Sequence, residues 1–277
     1  MAPSLAPFDA SDDADLTLRT PDGTTFQVYF RFLAVASPVF HDMFKLPQPD
    51  ADKNTSSPVV DVSESSEVMD ALLRFIYPIE DPPVKTLSMI SDVLAAADKY
   101  SMISVSQTLG RLLIFPPIFV DEEPVRVYAI ACRYGLEEAA KVAASCSLTT
   151  DILCAPLMPE LKWITAHDYQ RLISLHQTRS HDAQKILEEF KWSGRCSQCQ
   201  LVPSGGMRDL DPSIMNDWLI RAKEELRLRP TTEVIFSLSF FWMGRRNCTQ
   251  CRRVTLEQPL STVMKFKERI DELPATV

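Results

Sequence analysis

Apolar positions alternate at Leu16 and Leu18, give way at Pro21-Asp22-Gly23, and are followed by a run of strand composition from Thr24 to Tyr29. That pattern predicts a β-hairpin over a D-G turn. Phe32, Leu33, Val35 and Ala36 then form a short helical run that stops at Ser37-Pro38. Serine suits an N-cap and proline a first helical position, so a second helix carrying Val39, Phe40, Met43 and Phe44 is predicted to start there. Pro58 to Val62 reads as a short strand of β-branched residues. Ser63 to Ser66 offers caps for a helix holding Val68, Met69, Leu72, Leu73, Phe75 and Ile76, which Tyr77-Pro78 closes. Leu87, Ile90, Val93, Leu94, Ala97 and Tyr100 mark another helix, and Val105 to Ile114 one more. Residues 1–12, rich in Pro, Ser, Ala and Asp, are expected to be disordered, and 47–57 form a polar connection.

Phe115-Pro116-Pro117 breaks the helical pattern and marks a boundary. Beyond it two helices are predicted, parted at Gly135, with Val127, Ala131 and Tyr134 apolar on the first. Thr165 is a suitable N-cap for a helix running to about Phe190, its stripe being Tyr169, Leu172, Ile173, Leu175, Ile186, Leu187 and Phe190. Asp211-Pro212 opens a further helix with Ile214, Met215, Trp218, Leu219, Ala222 and Leu226, ending at Pro230. Residues 233–243 (EVIFSLSFFWM) fit a buried strand or a buried helix equally, with core packing the expected role of Phe236, Phe240, Phe241 and Trp242, and Pro259 to Leu273 fits an amphipathic helix.

The 277 residues suit about two domains. The N-terminus lacks a basic stretch followed by an apolar one, and no run of about 20 apolar residues occurs, so an intracellular protein, cytoplasmic or nuclear, without a membrane partner is expected. Residues 191–277 hold 14 Lys+Arg against 10 Asp+Glu, leaving 15 against 27 for residues 1–190. The net charge of −8 argues against nucleic acid as the main partner, and the mildly basic tail does not reverse that.

Seven cysteines, an odd number, do not suggest a disulfide framework. Cys132, Cys146 and Cys154 sit singly in apolar helical surroundings and are expected to be small buried hydrophobes. Cys196-Ser197-Gln198-Cys199 and Cys248-Thr249-Gln250-Cys251 are different: a two-residue spacer lets both thiolates of a pair face one ion. One structural zinc held by Cys196, Cys199, Cys248 and Cys251 is the leading expectation, ahead of four free thiols or a redox pair. The pairs lie farther apart than the roughly 15–20 residues of a compact zinc ribbon. His41, His167, His176 and His181 form no HExxH pattern and are expected at the surface or at caps. Nucleophile elbows, Walker loops and dinucleotide fingerprints are absent, and no enzyme is expected.

The hairpin with its D-G turn, followed by Phe26, Val28, Leu33, Ser37, Pro38, Phe40, Met43 and Phe44 at their spacing, resembles the opening of a BTB/POZ domain. Leu72-Leu73-Arg74-Phe75-Ile76-Tyr77-Pro78 and Ala96-Ala97-Asp98-Lys99-Tyr100 resemble two later helices of that family, in the same order. Tyr29 stands where the family usually has histidine, and its polar tip can still bond there. The resemblance implies an α+β fold, a short β-sheet with a cluster of helices over residues 13–115. A helical extension over 116–190, similar to the BACK-like region of many BTB proteins, and a Cys-rich, mainly helical module over 191–277 follow. The whole resembles the single-BTB proteins numerous in fungi.

The resemblance also implies function: homodimerisation and binding of other proteins as a scaffold or adaptor, with Asp15, Leu16, Leu33, Phe40, Met43 and Phe44 as interaction residues. Many BTB domains are substrate adaptors of cullin ubiquitin ligases and carry a hydrophobic-x-Glu motif after the second helix. Lys45 to Ser57 contains no Glu, which places that role second. A zinc-containing transcriptional regulator touching nucleic acid through Arg245, Arg246, Arg252 and Arg253 is a third reading.

Overall fold

The computed structural model describes residues 7–8, 13–45, 58–189, 212–237, 239–240 and 257–277. Two compact units divide the chain, the first drawn from Met1–Glu122 and Ile130–Ala139, the second from Glu123–Ala129 and Ala140–Val277.

In the first unit, β1 (Leu16–Arg19) and β2 (Thr25–Val28) form the expected antiparallel hairpin, with Leu16 opposite Val28 and Leu18 opposite Phe26. The turn is organised by Asp22, whose Oδ1 accepts from the Thr20 hydroxyl at 2.5 Å and the Thr24 amide at 3.1 Å, and by Gly23 at φ +84°. Those bonds hold the Asp22 carboxyl well below its ordinary value, the Thr20 hydroxyl contributing most. A third strand, β3 (Val59–Asp61), pairs in parallel with β1, giving the order β2-β1-β3. Helices α1 (Phe30–Ala36), α2 (Pro38–Met43), α3 (Ser66–Ile76), α4 (Leu87–Lys99) and α5 (Ile103–Ile114) complete most of this unit, with α6 (Ile118–Glu122) after them. Leu16, Leu18, Phe26, Val28, Leu33, Met69, Leu72, Leu73, Ile90 and Leu94 are fully buried and form its core.

Side-chain caps fix the helix starts: Ser37 for α2, Ser65 for α3 and Thr86 for α4 each accept an amide from the first turn. α4 ends with Ser101 at φ +55°, Ser101 N–H bonding Asp98 O and Met102 N–H bonding Ala97 O. The same paired closure ends α7 (Pro124–Arg133), there with Gly135 in the left-handed conformation as its sequence position predicts.

The expectation that residues 1–12 are disordered fails at Phe8. Its side chain is buried at 3% exposure, and its carbonyl accepts from the Gln27 amide at 2.8 Å.

The second unit holds most of α8 (Glu137–Ser147), a 3₁₀ turn at Pro159–Lys162, then α9 (Ala166–Glu188), α10 (Pro212–Leu228), α11 (Thr232–Ile235) and α12 (Glu257–Asp271). Thr165 caps α9 as expected. Ala183 and Leu187 of α9, Trp218, Ala222 and Leu226 of α10, Ile235 and Phe240, and Val263 and Ile270 of α12 form one buried cluster. The Trp218 indole donates to Ile235 O at 2.8 Å. Of the ambiguous stretch 233–243, the part through Ile235 is helical. α12 starts ahead of Pro259, which is tolerated because the first-turn amides of a helix have no partner within it.

Candidate interaction surface

α1 and α2 are held from several sides. Asp15 Oδ1 accepts the Phe30 amide at 2.6 Å, placing a carboxylate at the positive end of α1, whose N-cap residue Tyr29 supplies no side-chain cap. The preceding amide, that of Tyr29, is taken by the Tyr77 hydroxyl at 2.7 Å. Burial pushes the Tyr77 phenol up to about 12, so it stays a neutral partner. Between the helices, Ser37 Oγ accepts from the Phe40 amide at 3.1 Å and donates to Tyr100 O at 2.6 Å. The Phe40 ring stacks on Tyr100 at 4.6 Å. Tyr100 is fixed in turn by its hydroxyl donating to Glu64 Oε2 at 2.6 Å, while Lys99 Nζ reaches Glu64 Oε1 at 2.7 Å. Burial alone would raise the Glu64 carboxyl, yet those two bonds bring it below its ordinary value.

What these anchors leave outside includes three apolar side chains among polar ones, His41 and Asp42 of α2 being exposed as well. Val35 is 89% exposed, Val39 41% and Phe32 38%, with Arg31 exposed beside them. The family-implied residues fall differently. Leu16, Leu33 and Phe40 are core residues of the unit itself, so their side chains are closed to a partner in this structure. Met43 and Phe44 are half-buried, the Phe44 ring lying 4.3 Å from that of Phe30, and Asp15 is exposed but engaged as the α1 anchor. The alternation of α1 contains the signal for Val35: Leu33 is the buried position, and Val35 lies about 200° around the helix from it.

A comparison with protein families matches the BTB/POZ domain at residues 6–115. Residues 6–115 are a BTB/POZ domain. Among curated proteins, the mouse "TD and POZ domain-containing protein 1" is 32% identical over 83 residues, and the mouse "TD and POZ domain-containing protein 3" is 34% identical over 83 residues. Each alignment spans 30% of this chain, which covers about 22% of the length of those relatives. The BTB/POZ domain is in general a protein–protein interaction module. Its three-stranded sheet and helices, followed by a helical C-terminal region, agree with the α+β expectation.

Outside the BTB/POZ domain, two groups of sequence candidates are corrected. Of the histidines, His176 is at 6% exposure and bonds Ser147 at 2.9 Å, whereas a surface or capping role was expected. Burial drives its imidazole down to about 4. Cys154 is exposed, and Cys132 and Cys146 are half-buried, so none of the three is the fully buried hydrophobe expected. Cys196, Cys199, Cys248 and Cys251, with Arg245, Arg246, Arg252 and Arg253, lie outside the described residues, as do Phe241 and Trp242. Among the described residues no group of three or more His, Cys, Asp or Glu is placed to hold a metal, and no helix is long and apolar enough to cross a membrane.

Sequence reasoning missed Arg179. On a helix whose pattern reads as amphipathic it is 6% exposed, and it donates to the Pro230 and Ile270 carbonyls at 3.0 Å each, to Pro274 O at 3.0 Å and to Leu273 O. No local pattern encodes partners so far along the chain.

Proposed function

We propose that this chain is a protein-interaction scaffold whose BTB/POZ domain pairs with a second copy through the outer face of α1 and α2. The observation carrying this reading is Val35, left almost wholly in water on a helix anchored at its start by Asp15 and at its end by Ser37. Single exposed apolar residues are ordinary, but Phe32, Val35 and Val39 fall within eight residues on rigid elements. Burial of such a face gains about 25 cal/mol per Å², and a two-fold axis brings each residue into the interface twice. With no Glu in Lys45 to Ser57, recruitment of a cullin ranks behind self-association and binding of other proteins. For the C-terminal cysteines the proposal is a closed four-thiolate zinc site, which has no open position to activate water and so a structural role.

Sedimentation at tens of micromolar tests the pairing. The wild-type chain is expected to run as a dimer and Val35→Glu as a monomer whose unfolding midpoint matches that of the wild-type chain diluted until it is monomeric, because an exposed position contributes little to folding of the monomer. A monomeric wild-type chain at that concentration refutes the reading.

A further inference from the structure

In the second unit a cavity of about 230 Å³ is lined by one stripe of α9, the segment after α8 and the end of α10. The stripe includes Ile173, His176, Ser180 and Gln184, spaced three or four residues apart and so stacked on one helix face. The space is many times the roughly 10–15 Å³ that admits a single water, yet below the roughly 300 Å³ at which pockets for drug-sized ligands begin. Hydrogen bonding fixes what two of these side chains offer. Ser147 Oγ lies 2.6 Å from Ala144 O, and because a carbonyl only accepts, the single hydroxyl proton is committed there. Ser147 therefore accepts from His176 Nε2 at 2.9 Å, which places the imidazole proton on Nε2 and leaves Nδ1 a bare acceptor. Burial keeps that imidazole neutral. Ser147 is 0% exposed, so the pair anchors the ring and is not a nucleophile with its base. His176 Nδ1 has no hydrogen-bond partner among the described residues and is not sealed from solvent. Arg227 Nε donates to Gln184 Oε1 at 3.4 Å, and the Gln184 amide nitrogen donates to Ser180 Oγ at 3.0 Å. Ser180 accepts that bond, and its own proton has no acceptor among the described residues. One free acceptor and one free donor, on side chains 6% and 8% exposed, therefore line the same cavity from consecutive turns of α9.

We propose that this cavity binds a small neutral molecule with a carboxamide head and an apolar body, the amide N–H donating to His176 Nδ1 and the amide oxygen accepting from the Ser180 hydroxyl. A carboxylate brings no proton for Nδ1, and an ammonium brings no lone pair for Ser180. A hydroxyl carries both functions on one atom, whereas His176 and Ser180 stand one turn apart without bonding each other; an amide spreads donor and acceptor over two atoms. Asp151 and Arg227 also line the cavity, so an ion of either sign gains one of them and meets the other as a like charge. The body has walls of its own. Ile152 is buried, Ile173 is half-buried, and Leu153 and Leu228 are 74% and 49% exposed, apolar surface that a bound ring takes out of water. All of these residues belong to the second unit, so the site is independent of the pairing proposed for the BTB/POZ domain.

The test titrates para-fluorobenzamide into the full-length chain and follows its fluorine resonance. Saturable binding is expected with a Kd on the order of 1 mM, which is what a ligand of about ten non-hydrogen atoms achieves. In para-fluoroacetophenone a methyl replaces the amide nitrogen and Nδ1 loses its donor, so binding at least about fivefold weaker is expected; para-fluorobenzoate should be weaker by as much. Ser180→Ala removes the donor to the amide oxygen and should weaken para-fluorobenzamide at least about fivefold, while Ile173→Phe fills the cavity and should abolish its binding. Circular dichroism checks that both variants are folded, and the ligand series decides the matter on the wild-type chain alone. No saturable binding of para-fluorobenzamide up to about 10 mM overturns the proposal, the cavity then holding water only. Ketone binding equal to that of the amide, or tighter binding of the carboxylate, overturns it as well. So does amide binding left unchanged in folded Ser180→Ala and Ile173→Phe, since the ligand would then sit elsewhere.

Discussion

Replacing Arg179 by methionine keeps the stem and removes the guanidinium that links α9 to the end of α12. The bonds to Pro230 O and Ile270 O are buried, whereas those to Leu273 and Pro274 are part-buried. A lost buried partner leaves a carbonyl whose desolvation costs about 1–3 kcal/mol, and there are two such carbonyls. The part-buried carbonyls near the chain end can rehydrate and add little. Against this, methionine no longer buries a charge, a burial that already holds the Arg179 guanidinium below its ordinary value. Arg179 also places a positive charge at the C-terminal end of α12, where helix carbonyls lack partners. The net expectation is a loss of about 3 kcal/mol.

The protein supplies a selective reporter for this loss. None of the four tryptophans, Trp163, Trp192, Trp218 and Trp242, precedes residue 140 in the sequence; the two described ones, Trp163 and Trp218, belong to the second unit, and Trp218 lies fully buried in the cluster beside α12. Urea unfolding followed by tryptophan fluorescence therefore reads that unit. Arg179→Met should lower the midpoint by about 1–3 M at an m-value of 1–3 kcal/mol/M, and Arg179→Lys should lose less, because one ammonium reaches fewer of the four carbonyls. A midpoint moved by less than about 0.3 M would refute the reasoning: the clamp's carbonyls would then be satisfied equally well by water.

Other expectations follow from single residues. Ser101 caps α4 in the left-handed conformation that glycine adopts freely, so Ser101→Gly should stabilise the BTB/POZ domain by up to about 1 kcal/mol, read by thermal unfolding. His176 titrates near 4 when folded, below its ordinary value of about 6.5, so the folded state resists protonation. Its contribution is complete above about pH 6.5 and is lost as pH falls toward 4, by about 3 kcal/mol. Tryptophan-monitored unfolding should show that loss in the wild-type chain and a shallower one in His176→Gln. For the proposed zinc site, elemental analysis should find one zinc per chain, absent after Cys196→Ser with Cys251→Ser; a metal-free wild-type chain would mean free thiols. Val35→Glu, separating association from folding, is checked by sedimentation.

The hairpin, the cap at Ser37, the cap at Thr165 and the αL closure at Gly135 were legible in the sequence because each follows from rules spanning a few residues. Leu16, Leu33 and Phe40 illustrate the limit of a family signature. The residues that make a motif recognisable are those the fold needs inside, so they name the domain without marking its free surface. Val35, which no motif position includes, is the residue left in water. Phe8 escaped for the opposite reason: its surroundings in sequence are those of a disordered tail, and its pocket is built from Phe26 and Tyr77, far along the chain.

His176 and Arg179 were hidden by their own chemistry, since polar residues on a helix read as a solvent face. They lie three apart on α9, hence on neighbouring positions of one side, and each is matched to a partner from a different part of the second unit: Ser147 at the end of α8, and the carbonyls after α10 and at the end of α12. The leucines of α9 could pack in more than one register against apolar neighbours. A hydrogen-bonded polar side chain cannot slip without leaving a buried group unpaired. On this argument the apolar stripe of α9 supplies the affinity between these helices, and His176 and Arg179 select the arrangement. Methionine at position 179 should then loosen the fluorescence transition as well as shift it, because alternative packings of α12 would no longer leave a charge without its carbonyls.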